Sequence, residues 1–132
     1  MINPSLFLRR AILLDAIVSG AMGLLMTLGA SMLASLLDLP DALLRETGLF
    51  YIAYTAVVGW LGMQQLMPKV LVLVLIAGNA IWGVACLVFL FGGLVSPNSL
   101  GQVFIAMQSI AVGAFAELQY IGLRRSGGAV TA

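Results

Sequence analysis

The sequence predicts an all-α protein, a transmembrane four-helix bundle. Three observations carry that expectation. The composition is 62% hydrophobic and 8% charged over 132 residues, with a mean hydropathy of +1.14. A soluble domain carries about 25% charged residues, and one this poor in charge could not cover its apolar surface in water. The apolar residues also gather into four long runs, at 11–37, 49–67, 70–91 and 100–123. Finally, the basic residues fall almost wholly on one side of those runs.

Each run reaches the about 20 residues that a helix needs to cross about 30 Å of hydrocarbon. Helices are required because lipid satisfies no backbone donor or acceptor. The first run, opened by "RRAILLDAIVSG", begins near a basic edge as a signal peptide does. It continues to Leu37 with no small-x-small cleavage pattern, so it reads as a retained span. The segment "LLDLPDALLRETG" separates runs one and two, and Pro40 suits the restart of a helix. There Asp41 and Arg45 stand at the spacing of a solvated i,i+4 pair. "QQLMPKV" is a tight turn with Pro68 before run three, and "FGGLVSPNSLGQ" leads through Pro97 into run four. Residues 1–125 therefore form a single transmembrane domain, and 126–132 read as a small, mobile tail.

Arg9, Arg10, Lys69, Arg124 and Arg125 share one side of a four-span arrangement, and only Arg45 falls on the other. The positive-inside rule then places both termini in the cytoplasm of a bacterial inner (plasma) membrane protein. "LPDALL" before run two and "SPNSLG" before run four also share an order of residues. That order fits either two duplicated helical hairpins or the ordinary use of Pro and Asx at helix starts.

With a net charge of +1 the chain offers no field for nucleic acid. It has no histidine and a single cysteine, Cys86. No metal set, cofactor motif or activated nucleophile is legible, and a non-catalytic role is expected. The lipid bilayer is the expected partner, together with further copies of the chain or a larger membrane complex.

The candidate functional residues are the polar ones inside the runs. Asp15 lies five residues from Arg10 and Glu117 seven from Arg124, so the two acids are expected at similar depth near the cytoplasmic side. Either they face each other as a proton or cation site, or each meets an Arg or Lys reaching for the interface. At 100° per residue, Gln102, Ala106, Ser109, Gly113, Ala116, Glu117 and Tyr120 form one polar and small face, with Gln108 and Gln119 on an adjacent one. Asp15, Ser19, Met22, Met26 and Leu33 form a stripe in run one, which makes runs one and four expected neighbours. Asn79 falls near the bilayer centre, with Trp82 beside it. An unpaired amide there is costly, so Asn79 must face inward, toward Ser109, Gln108, Tyr54 or Thr55. It is expected either as a clamp between helices or, with Trp82, Tyr51 and Tyr54, as part of a ligand pocket.

"LLDAIVSGAMGLL", "LPDALLRETGLFYIAYTAVVGWL", "GNAIWGVACLVFL" and "SLGQVFIAMQSIAVGAFAELQYIGLRR" together resemble a group of small, uncharacterised bacterial four-span integral membrane proteins. That resemblance implies location and no activity. "NPSLFLRRAILLDA" and "NAIWG" locally resemble small multidrug resistance transporters, which would make Asp15 the proton-coupling acid and Trp82 a wall of the site. The acid here is Asp where that family has Glu, and Arg9 and Arg10 stand where it is Gly-rich. The expected function is binding of a hydrophobic small molecule or lipid, or service as an accessory subunit. The alternative is an oligomeric proton-coupled transporter using Asp15 and Glu117.

Overall fold

A computed structural model describes residues 2–93 and 95–128. These residues form five helices: α1 (Leu6–Leu28), α2 (Ala30–Leu37), α3 (Asp41–Gly62), α4 (Lys69–Phe91) and α5 (Ser99–Arg125). Three of them, α1, α4 and α5, are long and apolar enough to cross a membrane. α3 is of similar length but carries Asp41, Arg45 and Glu46 in its first two turns. Two short strands, β1 (Ile2–Asn3) and β2 (Gly127–Gly128), pair antiparallel.

The helix starts follow from local chemistry. Ser5 caps α1 by accepting from the Leu8 N–H, and Asn98 caps α5 by accepting from the Gly101 N–H. Pro40 and Pro68 stand at the caps of α3 and α4, where a fixed φ suits the entry and the missing N–H is no loss. The starts of α3 and α5 are thus built differently, one on proline and one on an asparagine side chain.

The helices begin earlier than the apolar runs do. α3 opens at Asp41 rather than Leu49, because its first charged turns are helical: Asp41 suits the positive end of the helix dipole and pairs with Arg45 at 3.0 Å. It also ends at Gly62, so 63–68 form the turn. α1 opens at Leu6, which puts Arg9 and Arg10 inside the helix. The first run is not one rod but two helices meeting at Gly29. The hydrogen bonds Gly29 N–H to Leu25 O and Leu33 N–H to Gly29 O carry the ladder through that junction.

α1 packs along α3, α4 packs along α5, and α1 packs against α5, which gives the order α3, α1, α5, α4. α3 and α4, though consecutive, make no comparably extensive backbone contact. Small residues set the close crossings. A Cβ on Gly48 would meet Thr27 and lie 2.9 Å from the Gly23 carbonyl, so α1 and α3 cross glycine to glycine. A Cβ on Gly122 would come within 2.7 Å of Leu8 Cα, which sets α5 against the start of α1.

One end of the bundle is tied together by both ends of the chain. Ile2 and Met67 exchange two backbone hydrogen bonds, at 2.8 and 3.0 Å. The Ser5 N–H donates to Ser126 Oγ, and the Ser5 and Ser126 hydroxyls both donate to the Gly122 carbonyl. Residues 126–128 of the expected tail are therefore held against the N-terminal segment, while 129–132 lie outside the described residues. At the other end, the Asn98 amide donates to the Leu36 carbonyl and joins α5 to α2.

Candidate functional site

Four helices deliver polar side chains to one point in the interior. α1 brings Asp15 and Ser19, α3 brings Tyr54, α4 brings Asn79 and α5 brings Gln119. Asp15 and Gln119 are 0% exposed and Asn79 is 3% exposed. Asp15 Oδ2 accepts from Tyr54 Oη at 2.8 Å, from Asn79 Nδ2 at 3.0 Å and from Gln119 Nε2 at 2.8 Å. Asp15 Oδ1 accepts from Ser19 Oγ at 3.0 Å. Asn79 Nδ2 also donates to Gln119 Oε1 at 3.0 Å. A carboxylate is an acceptor-only group, so four neutral donors satisfy it without a cation.

This arrangement differs from both expectations for Asp15. Glu117 does not face it: that side chain is exposed on α5, and the neighbouring stripe turns inward with Gln119. Nor does a cation reach Asp15. The Arg9 guanidinium donates to the Gly62 carbonyl, Arg125 lies over the Phe7 ring at 5.1 Å, and Arg124 lies over Tyr120 at 5.9 Å. Among the described residues the one ion pair is Asp41–Arg45. Asp15 stands nine residues into α1, about 13 Å along the axis, and Asn79 stands ten residues into α4, about 15 Å. Both helices start from the end that the termini tie, so the cluster lies well inside the bundle.

A second relay runs beside the first. Trp82 Nε1 donates to Tyr51 Oη at 2.6 Å, and Tyr51 Oη donates to Gln108 Oε1 at 2.8 Å. The Tyr51 and Trp82 rings meet edge to face at 5.9 Å, and Phe50 lies 6.3 Å from Trp82. Ser109 belongs to neither relay: its hydroxyl donates to the Gly83 carbonyl and fastens α5 to α4. Of the five candidate site residues, Asp15 and Asn79 thus meet directly. Trp82 lies one turn from Asn79, Ser109 is a separate fastener, and Glu117 is outside.

Between α3 and α4 runs a groove of about 440 Å³. Its walls are apolar, with Val57, Val58, Leu71, Val74, Leu75 and Ile81 prominent. Its polar lining consists of Ser19, Tyr51, Tyr54, Asn79 and Trp82, with Trp60 near one end. Every one of the first five belongs to the two relays. Gly78 also lines the groove, and a Cβ there would meet nothing within 4 Å. Among the described residues no set of three His, Cys, Asp or Glu side chains gathers to hold a metal.

Comparisons of the chain with protein-family models, curated proteins and solved structures return no match.

Proposed function

We propose that the protein is a multi-pass protein of the bacterial inner membrane that binds a hydrophobic small molecule or lipid in the groove between α3 and α4. In this reading α1 with α2, α3, α4 and α5 are four spans, and both termini are cytoplasmic. α3 qualifies as the fourth because its charges are confined to its first two turns. Beyond them Leu49 and Ile52 are exposed apolar surface, and Phe50, Val57 and Trp60 are exposed along the open groove. The shared side of the termini and the Pro68 turn is supported by the Ile2–Met67 hydrogen bonds. The cytoplasmic assignment is supported by the five cations at that end.

The observation that carries the binding reading is a groove with apolar walls over a polar floor. Small-molecule sites have this character, in volumes of about 300–1,000 Å³ with a few placed polar groups. A role as accessory subunit is compatible with the same groove. The proton-coupled alternative loses its main support, because Glu117 and Asp15 do not share a cavity.

Gly78→Phe tests the reading, since Gly78 lines the groove and a Cβ there meets nothing within 4 Å. Native mass spectrometry of protein kept in lipid nanodiscs should find an apolar molecule on the parent and not on the variant. Equal retention by both proteins would overturn the reading. So would quantitative disulfide dimers of Gly78→Cys, which would place a second copy in the groove.

A further inference from the structure

The hydrogen bonds that build the groove floor also decide which polar group it can receive. Asn79 Nδ2 commits one proton to Asp15 Oδ2 and the other to Gln119 Oε1. The single Tyr54 hydroxyl proton is shared between Asp15 Oδ2 at 2.8 Å and Asn79 Oδ1 at 3.0 Å. Ser19 gives its proton to Asp15 Oδ1, Trp82 gives its N–H to Tyr51, and Tyr51 gives its proton to Gln108. All five polar side chains along the floor have therefore used their donors. What remains is acceptor capacity, on Asn79 Oδ1, Tyr54 Oη, Ser19 Oγ and Tyr51 Oη. The Trp60 indole, the other polar group on the wall, is 53% exposed and about 9 Å along α3 from Tyr54.

We propose that the groove takes a lipid-soluble alcohol, with its apolar skeleton along α3 and α4 and its hydroxyl donating to Asn79 Oδ1 or Tyr54 Oη. The inference rests on the reading of the groove as a ligand site and adds the chemistry of the headgroup. An ether, ketone or ester presents acceptors alone, and would meet only acceptors at the floor. An ammonium brings donors, but the Asp15 oxygens are enclosed behind four donors and give it no direct counter-ion. A bare cation in an apolar groove is far costlier to desolvate than a hydroxyl. A hydroxyl proton on Asn79 Oδ1 also frees the Tyr54 proton to go wholly to Asp15, so ligand and cluster reinforce each other.

The test uses the full chain in nanodiscs with Trp60→Phe, which leaves Trp82 as the reporter and keeps an aromatic ring at the rim. Three probes share one dibrominated fatty-chain skeleton and end in a hydroxyl, a methyl ether or a primary ammonium. Quenching of Trp82 is read against probe mole fraction in the lipid. The alcohol should saturate at about tenfold lower mole fraction than the ether, the scale of one net hydrogen bond. Gly78→Phe should abolish saturation by either. Tyr54→Phe should keep both ether binding and the alcohol preference, because Asn79 Oδ1 then lacks its one donor and takes the ligand hydroxyl. Equal alcohol and ether binding, both lost in Gly78→Phe, would overturn the hydroxyl inference and leave the groove reading standing, and so would tighter ammonium binding. Quenching that never saturates, or that ignores Gly78→Phe, would overturn the groove reading itself.

Discussion

Asn79 Nδ2 lies 3.0 Å from Asp15 Oδ2 across 64 residues of sequence. This contact joins the α1–α3 hairpin to the α4–α5 hairpin at the level where α3 and α4 have drawn apart. The separation makes the groove, and the polar cluster closes its floor. An apolar floor would need bulky side chains there. A carboxylate with four donors needs only partners at fixed angles, so it determines the relative depth of four helices at once.

The cluster should behave as one unit in stability. Asp15→Leu strands the Asn79, Gln119, Tyr54 and Ser19 donors, and Gln119→Leu strands one proton of Asn79. Gln119→Leu is expected to lower stability by about 1–3 kcal/mol, and Asp15→Leu by more. The double variant should cost less than the sum of the two single ones. Glu117→Gln, on the outside of α5, should not lower stability. Reversible unfolding in mixed micelles, followed by circular dichroism, measures all four.

Three helices long and apolar enough to cross a membrane were legible because apolar length is written directly into the chain, and the stripe of run one through Asp15, Ser19, Met26 and Leu33 is buried as its spacing indicates. In run four the polar and small face through Gln102, Ser109 and Glu117 is inward only in part: Ala116 is buried and Ser109 bonds the Gly83 carbonyl, while Gln102, Glu117 and Tyr120 are exposed. The inward stripe is Gly101, Ile105, Gln108, Val112, Phe115, Gln119 and Gly122, spaced alternately four and three. That seam holds two glutamines in otherwise apolar or small company, and this was the available signal. The break at Gly29 and the gap between α3 and α4 were not legible. The gap depends on how close glycines such as Gly23, Gly48 and Gly122 let the other helices come, and hydropathy does not record that.

Glycine positions should separate cleanly by what a Cβ meets. Gly48→Ala drives a methyl against Thr27 and the Gly23 carbonyl, where neither backbone can yield. It should lower stability by about 1–3 kcal/mol. Gly78→Ala adds a methyl to open space within a helix and should be neutral or stabilising by up to about 1 kcal/mol. Thermal denaturation of the two proteins in one detergent decides it.

Asp38 closes α2 in the left-handed conformation, at φ 57°. Its Cβ makes that conformation costly, and glycine occupies it freely. Asp38→Gly should raise stability by about 0.5–1 kcal/mol, whereas Asp38→Val should lower it, because a β-branched side chain suits that region worst. A midpoint that falls in Asp38→Gly would mean that the carboxylate makes a compensating contact at the α2–α3 corner.

Trp82 reports on the second relay. Its indole N–H donates to Tyr51 Oη, and Tyr51 in turn donates to Gln108. In a Trp60→Phe background Trp82 is the sole tryptophan. Tyr51→Phe removes the acceptor from the indole and leaves the ring packing intact, so the Trp82 emission should move to shorter wavelength as the excited dipole loses its partner. Gln108→Leu leaves the Trp82–Tyr51 bond in place and should shift the emission little. It instead strands the Tyr51 hydroxyl and should lower stability by about 1 kcal/mol. If Gln108→Leu shifted the emission as far as Tyr51→Phe does, the indole would be sensing the glutamine directly. The order Trp82, Tyr51, Gln108 would then be wrong.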